Sequence, residues 1–256
     1  MSTDRPNGSL YTKIENHIAT VEFGHPASNS FTLELLNRLT AELDKLSEND
    51  AVTVVLLKSE GEKAFCAGAS FDELMQVSNL EEGEFFFSGF ANVINSMRRC
   101  KKVIVGRVQG KAVGGGVGLI SACDYAFAVE GASIKLSELS IGIAPLVIAP
   151  AVERKIGTAA ISELSLAATE WKNAYWAQEK GLYARVFDNL GALDTEVDFF
   201  TQKLASYNPA ALTEWKKVLW NHTEHWGTLL TERAKITGSL VLSEFTKHAL
   251  AKFKKK

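Results

Sequence analysis

The sequence predicts an α/β fold with a helical end, and three observations carry that prediction. The chain opens on a strand-helix-strand succession: Ile18 to Phe23, a segment with Leu33, Leu36, Leu39, Leu43 and Leu46 at helical spacing, and the continuous apolar run Val52 to Leu57. At its centre an apolar strand, Val103 to Val108, leads into Gly114-Gly115-Gly116, a small-residue helix from Val117 to Cys123 and another strand, Tyr125 to Val129. From Thr158 onward amphipathic helical segments dominate.

In chain order, Tyr11 to Ile14 and Ile18 to Phe23 read as paired strands around the turn Glu15-Asn16-His17. Gly24-His25-Pro26 breaks the second strand, and Thr32 is placed to cap the leucine-spaced helix. The unbroken apolarity of Val52 to Leu57 marks a strand covered on both faces. Lys63 to Leu74 then places a small-residue segment around Gly68 between a strand and a short helix. Ala67, Gly68 and Ala69 have too little side chain for chemistry, so this is either an ordinary turn or a place where main chain acts. Glu81 to Met97 is an amphipathic helix whose face Phe86, Phe90, Val93, Ile94 and Met97 belongs in the core.

After the central stretch, Ser137 to Gly142 sets one carboxylate, Glu138, among small and apolar neighbours. It is a solvated edge residue or a cap, unless a cleft buries it; desolvation would then raise its pKa and suit it to proton transfer. Pro145 and Pro150 bracket the apolar segment Leu146 to Ala149, a plausible pocket wall in loop or short-helix form. Helical segments follow at Ile161 to Ala167, Trp171 to Lys180, Thr195 to Tyr207, Pro209 to Trp220 and Leu229 to Leu242, interrupted by a strand-like connection at Gly181 to Phe187. All five tryptophans lie in this part, for a subunit interface or for packing within the chain.

Composition sets bounds. With 256 residues, 46% of them hydrophobic, the chain can build a sizeable core. A net charge of −2 gives no reason to expect nucleic acid or an anionic membrane as partner. Cys66, Cys100 and Cys123 lack metal-ligand spacing and read as reduced, buried thiols. No run reaches the roughly 18 apolar residues of a membrane span, and the first residues lack the apolar core of a signal peptide, so a cytoplasmic protein is expected. The closing Lys-Phe-Lys-Lys-Lys steers phosphates or simply solubilises the terminus.

The glycine triplet invites comparison with nucleotide-binding loops, and spacing rejects both common ones. Counting a G-x-G-x-x-G pattern from Gly114 or Gly116 ends on Leu119 or Ser121. For a phosphate loop, Gly106 and Gly110 have only three residues between them, and Lys111 is followed by Ala112. What remains is a backbone N–H that meets charge developing during a reaction, an oxyanion hole, or glycines needed only for close packing.

Three segments taken together, Lys63 to Ala69, Gly114 to Asp124 and Ser137 to Gly142, resemble the crotonase superfamily, the enoyl-CoA hydratase/isomerase family. The resemblance runs from about Ala19 to Ala211 and takes in Pro26, Asn29, Gly181-Leu182 and Asn208-Pro209. It implies a crotonase-like (ClpP/crotonase) ββα spiral, residues 1–195, and a C-terminal helical region, residues 196–256, used in trimer assembly, often with two trimers stacked as a hexamer. It implies an acyl-CoA thioester as substrate, with coenzyme A part of that substrate and no separate cofactor or metal.

On the same resemblance the thioester oxygen sits between the N–H groups of Ala69 and Gly115, and Glu138 moves protons. Contacts with substrate extend over Ala67, Ser70, Phe71 and Asp72 in the first segment, Gly114 in the second, and Pro145 and Leu146 beyond the third. Family hydratases commonly carry two acid/base glutamates; the first position here is Gly118 and the second is Glu138. Ser70 stands where an aspartate often follows the oxyanion alanine, and Leu146 to Ala149 replaces a glycine-rich segment. The pattern is similar to a bacterial subgroup near methylglutaconyl-CoA hydratase, of leucine catabolism. A hydratase-type lyase is therefore the first expectation, a 3-enoyl to 2-enoyl isomerase working through one carboxylate the next, and a catalytically weak acyl-CoA-binding scaffold the third.

Overall fold

The computed structural model describes residues 5–253; residues 1–4 and Lys254 to Lys256 of the basic tail lie outside the described residues. Strands β1 (Ser9–Glu15) and β2 (Ile18–Gly24) form the expected hairpin, joined through Asn16 and His17 at φ 50° and 63°. Thr32 caps helix α1 (Leu33–Ser47) by accepting a hydrogen bond from the N–H of Leu35. Leu35, Leu36, Leu39, Leu43 and Leu46 of α1 are buried and Leu33 is half-buried, and β3 (Val54–Ser59) lies parallel to β2 on one side.

Three units then repeat one course. β3 passes through a tight connection into β4 (Ala64–Cys66), β5 (Val103–Val108) into β6 (Lys111–Val113), and β7 (Tyr125–Val129) into β8 (Ser133–Lys135). The first member of each pair joins a six-stranded sheet, which β10 (Arg185–Phe187) completes in the order β1-β2-β3-β5-β7-β10, parallel throughout except for β1. The second member joins a four-stranded sheet, β4-β6-β8-β9, with β9 only Lys172–Asn173. Helices α2 (Phe71–Gln76) and α3 (Leu80–Arg99) follow the first unit, and α4 (Gly115–Ala122) follows the second. After the third comes a 3₁₀ turn, Glu138–Ile141. This is the ββα spiral that the resemblance implies. The second sheet is not anticipated from the sequence, and α4 starts two residues earlier than expected.

The later helices are α5 (Ala149–Leu166), α6 (Ala174–Glu179), α7 (Leu190–Ala205), α8 (Pro209–Leu219), α9 (Trp226–Val241) and α10 (Glu244–Phe253). A division at residues 195 and 196 falls inside α7, which lies against the large sheet through β2, β3, β5, β7 and β10. The helices beyond it begin at α8. Helix α9 folds back along α3, and at their crossing Gly83 and Gly238 leave no room for side chains: a Cβ on Gly238 would lie 2.5 Å from the Gly83 carbonyl carbon. Two tryptophans of this part, Trp220 and Trp226, are buried edge to face within the chain, with centroids 5.8 Å apart, whereas Trp171 and Trp215 are exposed.

Helix α8 is fastened to the spiral by a buried ion pair. Lys216 Nζ lies 2.9 Å from Asp124 Oδ2, with the two side chains only 3% and 2% exposed. The Asp124 carboxylate also accepts from the N–H of Ile104 at 2.8 Å and from Trp220 Nε1 at 2.7 Å, while Lys155 Nζ donates to the Asp124 carbonyl at 2.9 Å. The Arg154 guanidinium covers the Trp220 ring at 3.8 Å. All three cysteines are free and buried, and desolvation pushes the Cys66 and Cys123 thiols up to about 12. Among the described residues no helix is long and apolar enough to cross a membrane, and no group of three His, Cys, Asp or Glu could hold a metal ion.

Candidate active site

The edge of the small sheet brings two backbone segments together. After β4 the chain turns at Gly68, whose φ of 92° is a conformation side chains rarely adopt. The next residue, Ala69, forms a parallel bridge with Phe31, in which Phe31 donates to the Gly68 carbonyl at 2.8 Å and Ser70 donates to the Phe31 carbonyl at 2.7 Å. In such a bridge the N–H of the middle residue points to the opposite side. Among the described residues, no hydrogen bond within the chain uses the Ala69 N–H.

The second segment is the start of α4. Gly114, at φ 51° and ψ −116°, turns the chain from β6 into the helix, which leaves Gly115 as its first residue. The first N–H groups of a helix have no partner inside it, and among the described residues that of Gly115 is also unused. A Cβ on Gly68 would lie 3.7 Å from the Gly115 nitrogen, so the two segments are in close contact. Ala69 and Gly115 both line one cleft of about 140 Å³, open to solvent at its mouth.

The third contribution is the 3₁₀ turn that carries Glu138. Its end is set by Gly142 in the left-handed region, and α10 closes over it through Phe245 and Thr246. The Glu138 side chain reaches back over Gly114, where a Cβ would lie 2.6 Å from Oε1. The residue as a whole is half-buried, but Oε2 is beyond the reach of solvent and has no hydrogen-bond partner. This local burial, not the residue average, governs its acidity: desolvation raises the carboxyl to about 7, weakly opposed by its own backbone N–H.

The rest of the cleft is mostly apolar, with Ser137 and Thr237 as its uncharged polar residues. Leu74, Phe87 and Phe90 form one part of the wall, Ile141, Ile143 and Leu146 to Ile148 another, and Thr237 of α9 a third. Thr237 spends its hydroxyl on the Arg233 carbonyl at 2.9 Å. Among the described residues that line the cleft, Glu138 alone is ionisable.

Position 118 explains how the cleft manages with one carboxylate. Gly118 lies in α4 where that helix meets the start of α5, and a Cβ there would sit 2.5 Å from Ile148 Cγ2 and 2.7 Å from its Cβ. The isoleucine occupies the space that a longer residue at 118 would need. The space beside Gly118 is thus filled by packing and not left as a gap.

The sequence-derived site residues divide accordingly. Ala67, Ala69, Phe71, Gly114, Gly115, Glu138, Pro145 and Leu146 all line the cleft. Ser70 and Asp72 do not. Ser70 is buried and caps α2, accepting from the N–H of Glu73 at 3.4 Å, while Asp72 is exposed on the first turn of that helix. Glu73 instead accepts from the N–H of Leu33 at 2.8 Å, at the start of α1. Ile148 lines the cleft within the segment Leu146 to Ala149 expected as a pocket wall, whereas Phe87, Phe90, Val113 and Thr237 went unrecognised as lining residues. The aromatic stripe of α3 held Phe90 but not Phe87, and nothing in the sequence ties Thr237 to Glu138.

A model of the enoyl-CoA hydratase/isomerase family matches residues 13–256. Over 203 residues, 75% of this chain and 72% of the relative, the chain is 27% identical to an Arabidopsis thaliana protein named "Delta(3,5)-Delta(2,4)-dienoyl-CoA isomerase, peroxisomal". It is 25% identical over 246 residues, 95% of this chain and 94% of the relative, to a Bacillus subtilis protein named "Probable enoyl-CoA hydratase". A crystal structure of enoyl-CoA hydratase from Bacillus halodurans matches in fold with a TM-score of 0.88 over 95% of this chain and 99% of that one, at 20% identity.

Proposed function

Because the chain belongs to the enoyl-CoA hydratase/isomerase family, a family of enzymes acting on acyl-CoA thioesters, we propose that it shifts a double bond in an enoyl-CoA with an uncharged hydrocarbon acyl chain, using Glu138 alone to move the proton. The observation that carries this reading is that, among the described residues, Glu138 is the one ionisable side chain lining the cleft, with Ile148 filling the space above Gly118. In the proposed reaction the ionised carboxylate removes a proton from C2 of a 3-enoyl thioester. The electron pair moves onto the thioester oxygen as a dienolate, which the N–H groups of Ala69 and Gly115 stabilise more than they stabilise the substrate carbonyl. Glu138 then returns its proton to C4, the electrons flow back, and the double bond ends between C2 and C3. A pKa near 7 suits a group that must both accept and release the proton near neutral pH.

This ordering departs from the sequence, which favoured hydration. Adding water needs a base for the water and a proton donor for C2, and a lining with one carboxylate offers both roles to a single group. The same lining argues against a methylglutaconyl substrate, because the second carboxylate of that acyl group would be buried without a cation beside it, at a cost of several kcal/mol.

The test is an incubation with 3-enoyl, 2-enoyl and methylglutaconyl thioesters followed by mass analysis. Conversion of the 3-enoyl thioester without change of mass, with deuterium from C2 recovered in part at C4, is expected. Addition of one water to a 2-enoyl or methylglutaconyl thioester as the main reaction would restore the hydratase reading. Binding without turnover of any thioester would favour the scaffold. Self-association as a trimer or hexamer, implied by the family resemblance, belongs to the same proposal, and a light-scattering mass near 28.0 kDa would overturn that part.

A further inference from the structure

The two N–H groups assigned to the oxyanion come from separate segments, so something must fix the distance between them. Cys66, at the end of β4, touches both. Its sulfur accepts from the N–H of Gly68 at 3.3 Å, one residue before Ala69. Its main chain lies directly against Gly116, one residue after Gly115: a Cβ on Gly116 would be 2.7 Å from the Cys66 carbonyl oxygen, 2.8 Å from its Cβ and 3.1 Å from its sulfur. Cys66 is completely buried, and with its thiol pushed up to about 12 the sulfur remains protonated and uncharged. It is not placed to act on substrate, since it does not line the cleft.

From this contact we propose that Cys66 and Gly116 form a positioning joint: the close approach of α4 to the end of β4, together with the sulfur bond to Gly68, sets the spacing of the Ala69 and Gly115 donors. The proposal rests on the oxyanion reading above. Gly116 is required here by proximity, since its φ is an ordinary one. An added methyl would meet a backbone carbonyl that cannot rotate away, and the two donors would separate by a few tenths of an ångström. A hydrogen bond from a backbone N–H weakens steeply beyond its normal length, so a small displacement is felt at the oxyanion and little at the rest of the substrate.

The experiment compares wild type with Gly116→Ala, Cys66→Ala and Cys66→Ser, measuring kcat, KM and the infrared stretch of a carbonyl-¹³C-labelled saturated thioester, hexanoyl-CoA, bound to each. For Gly116→Ala, kcat is expected to fall about tenfold with KM nearly constant, since losing a donor outright costs roughly 10²–10³ and this change only displaces one. The bound carbonyl stretch should move back toward its value in water. Cys66→Ala should act in the same direction, and Cys66→Ser, which restores an acceptor for Gly68, should recover part of the loss. If Gly116→Ala does not fold, the two Cys66 variants decide the matter alone. Folded variants with unchanged kcat and unchanged stretch would overturn the joint, as would a loss of kcat that leaves the stretch unmoved. If the wild-type protein itself leaves the hexanoyl-CoA carbonyl stretch at its value in water, the oxyanion reading fails first.

Discussion

Two buried carboxylates stand at opposite ends of helix α4, and they are treated in opposite ways. Beyond its C-terminus Asp124 is saturated: a lysine, an indole N–H and a backbone N–H all reach its oxygens. Above its N-terminus Glu138 presses against Gly114 with Oε2 unpartnered, and its proton is held up to about 7. A buried carboxylate surrounded by donors is committed to structure, because its oxygens are already occupied in holding other segments. One left without them is costly to the fold and available for proton transfer. The difference separates the part of the molecule that holds α4 in place from the part that uses it.

The largest effect that should follow is at the saturated end. Asp124→Ala would leave Lys216 buried without its counter-charge, and urea denaturation should show a loss of about 3–5 kcal/mol. A loss under about 1 kcal/mol would mean that α8 docks by apolar packing alone. At the other end, Glu138→Gln should keep the thioester KM within a few-fold while kcat falls by on the order of 10²-fold or more. Retained kcat on the best substrate would remove Glu138 from the chemistry and erase the contrast.

A finer division lies inside the Asp124 cluster. Trp220→Phe retains the ring beneath Arg154 but deletes the N–H that reaches Asp124, and should cost about 1.5–3 kcal/mol with kcat unchanged. The smallest effect concerns pH. In the unfolded chain Glu138 loses its proton near 4.5 and in the fold near 7, so between those values the folded protein binds more protons. Wild-type stability should therefore decline as pH rises through that window and level off above it, the reverse of a salt-bridged carboxylate. Against Glu138→Gln, the difference at pH 8 should be about 1–3 kcal/mol, allowing for solvent contact with the rest of the side chain. Parallel stability curves for the two proteins would show that the carboxyl is not desolvated.

How far this contrast can be read in the sequence depends on the range of the forces involved. The hairpin at Asn16 and His17, the Thr32 cap, and strands β5 and β7 follow from local signals and lie where the sequence puts them. The four strands of the second sheet have two or three residues each, too few to show any alternation, and their pairing is non-local. Glu138 stood out as a lone carboxylate and Gly118 as a lost one. That Ile148 covers Gly118, and that Asp124 pairs with Lys216, are contacts between distant residues that periodicity does not encode. Around Ser70 and Asp72 the expected short helix begins; Ser70 caps it and Asp72 faces solvent, while Ala69 and Phe71 beside them line the cleft.

The crossing of Gly83 and Gly238 has a consequence in time. Thr237, beside Gly238, belongs to the last wall of the cleft, whereas Ala69, Gly115 and Glu138 all precede it by about a hundred residues or more. A ribosome releases the spiral first and α9 and α10 last, so the wall at Thr237 and the cover of α10 over the Glu138 turn reach the cleft after its other lining residues. Enclosure waits for α9 to be synthesised and to slide its glycine against α3. Chains interrupted before Trp226 would lack both Thr237 and the α10 residues that cover the Glu138 turn, which makes completion of the polypeptide itself the step that closes the cleft.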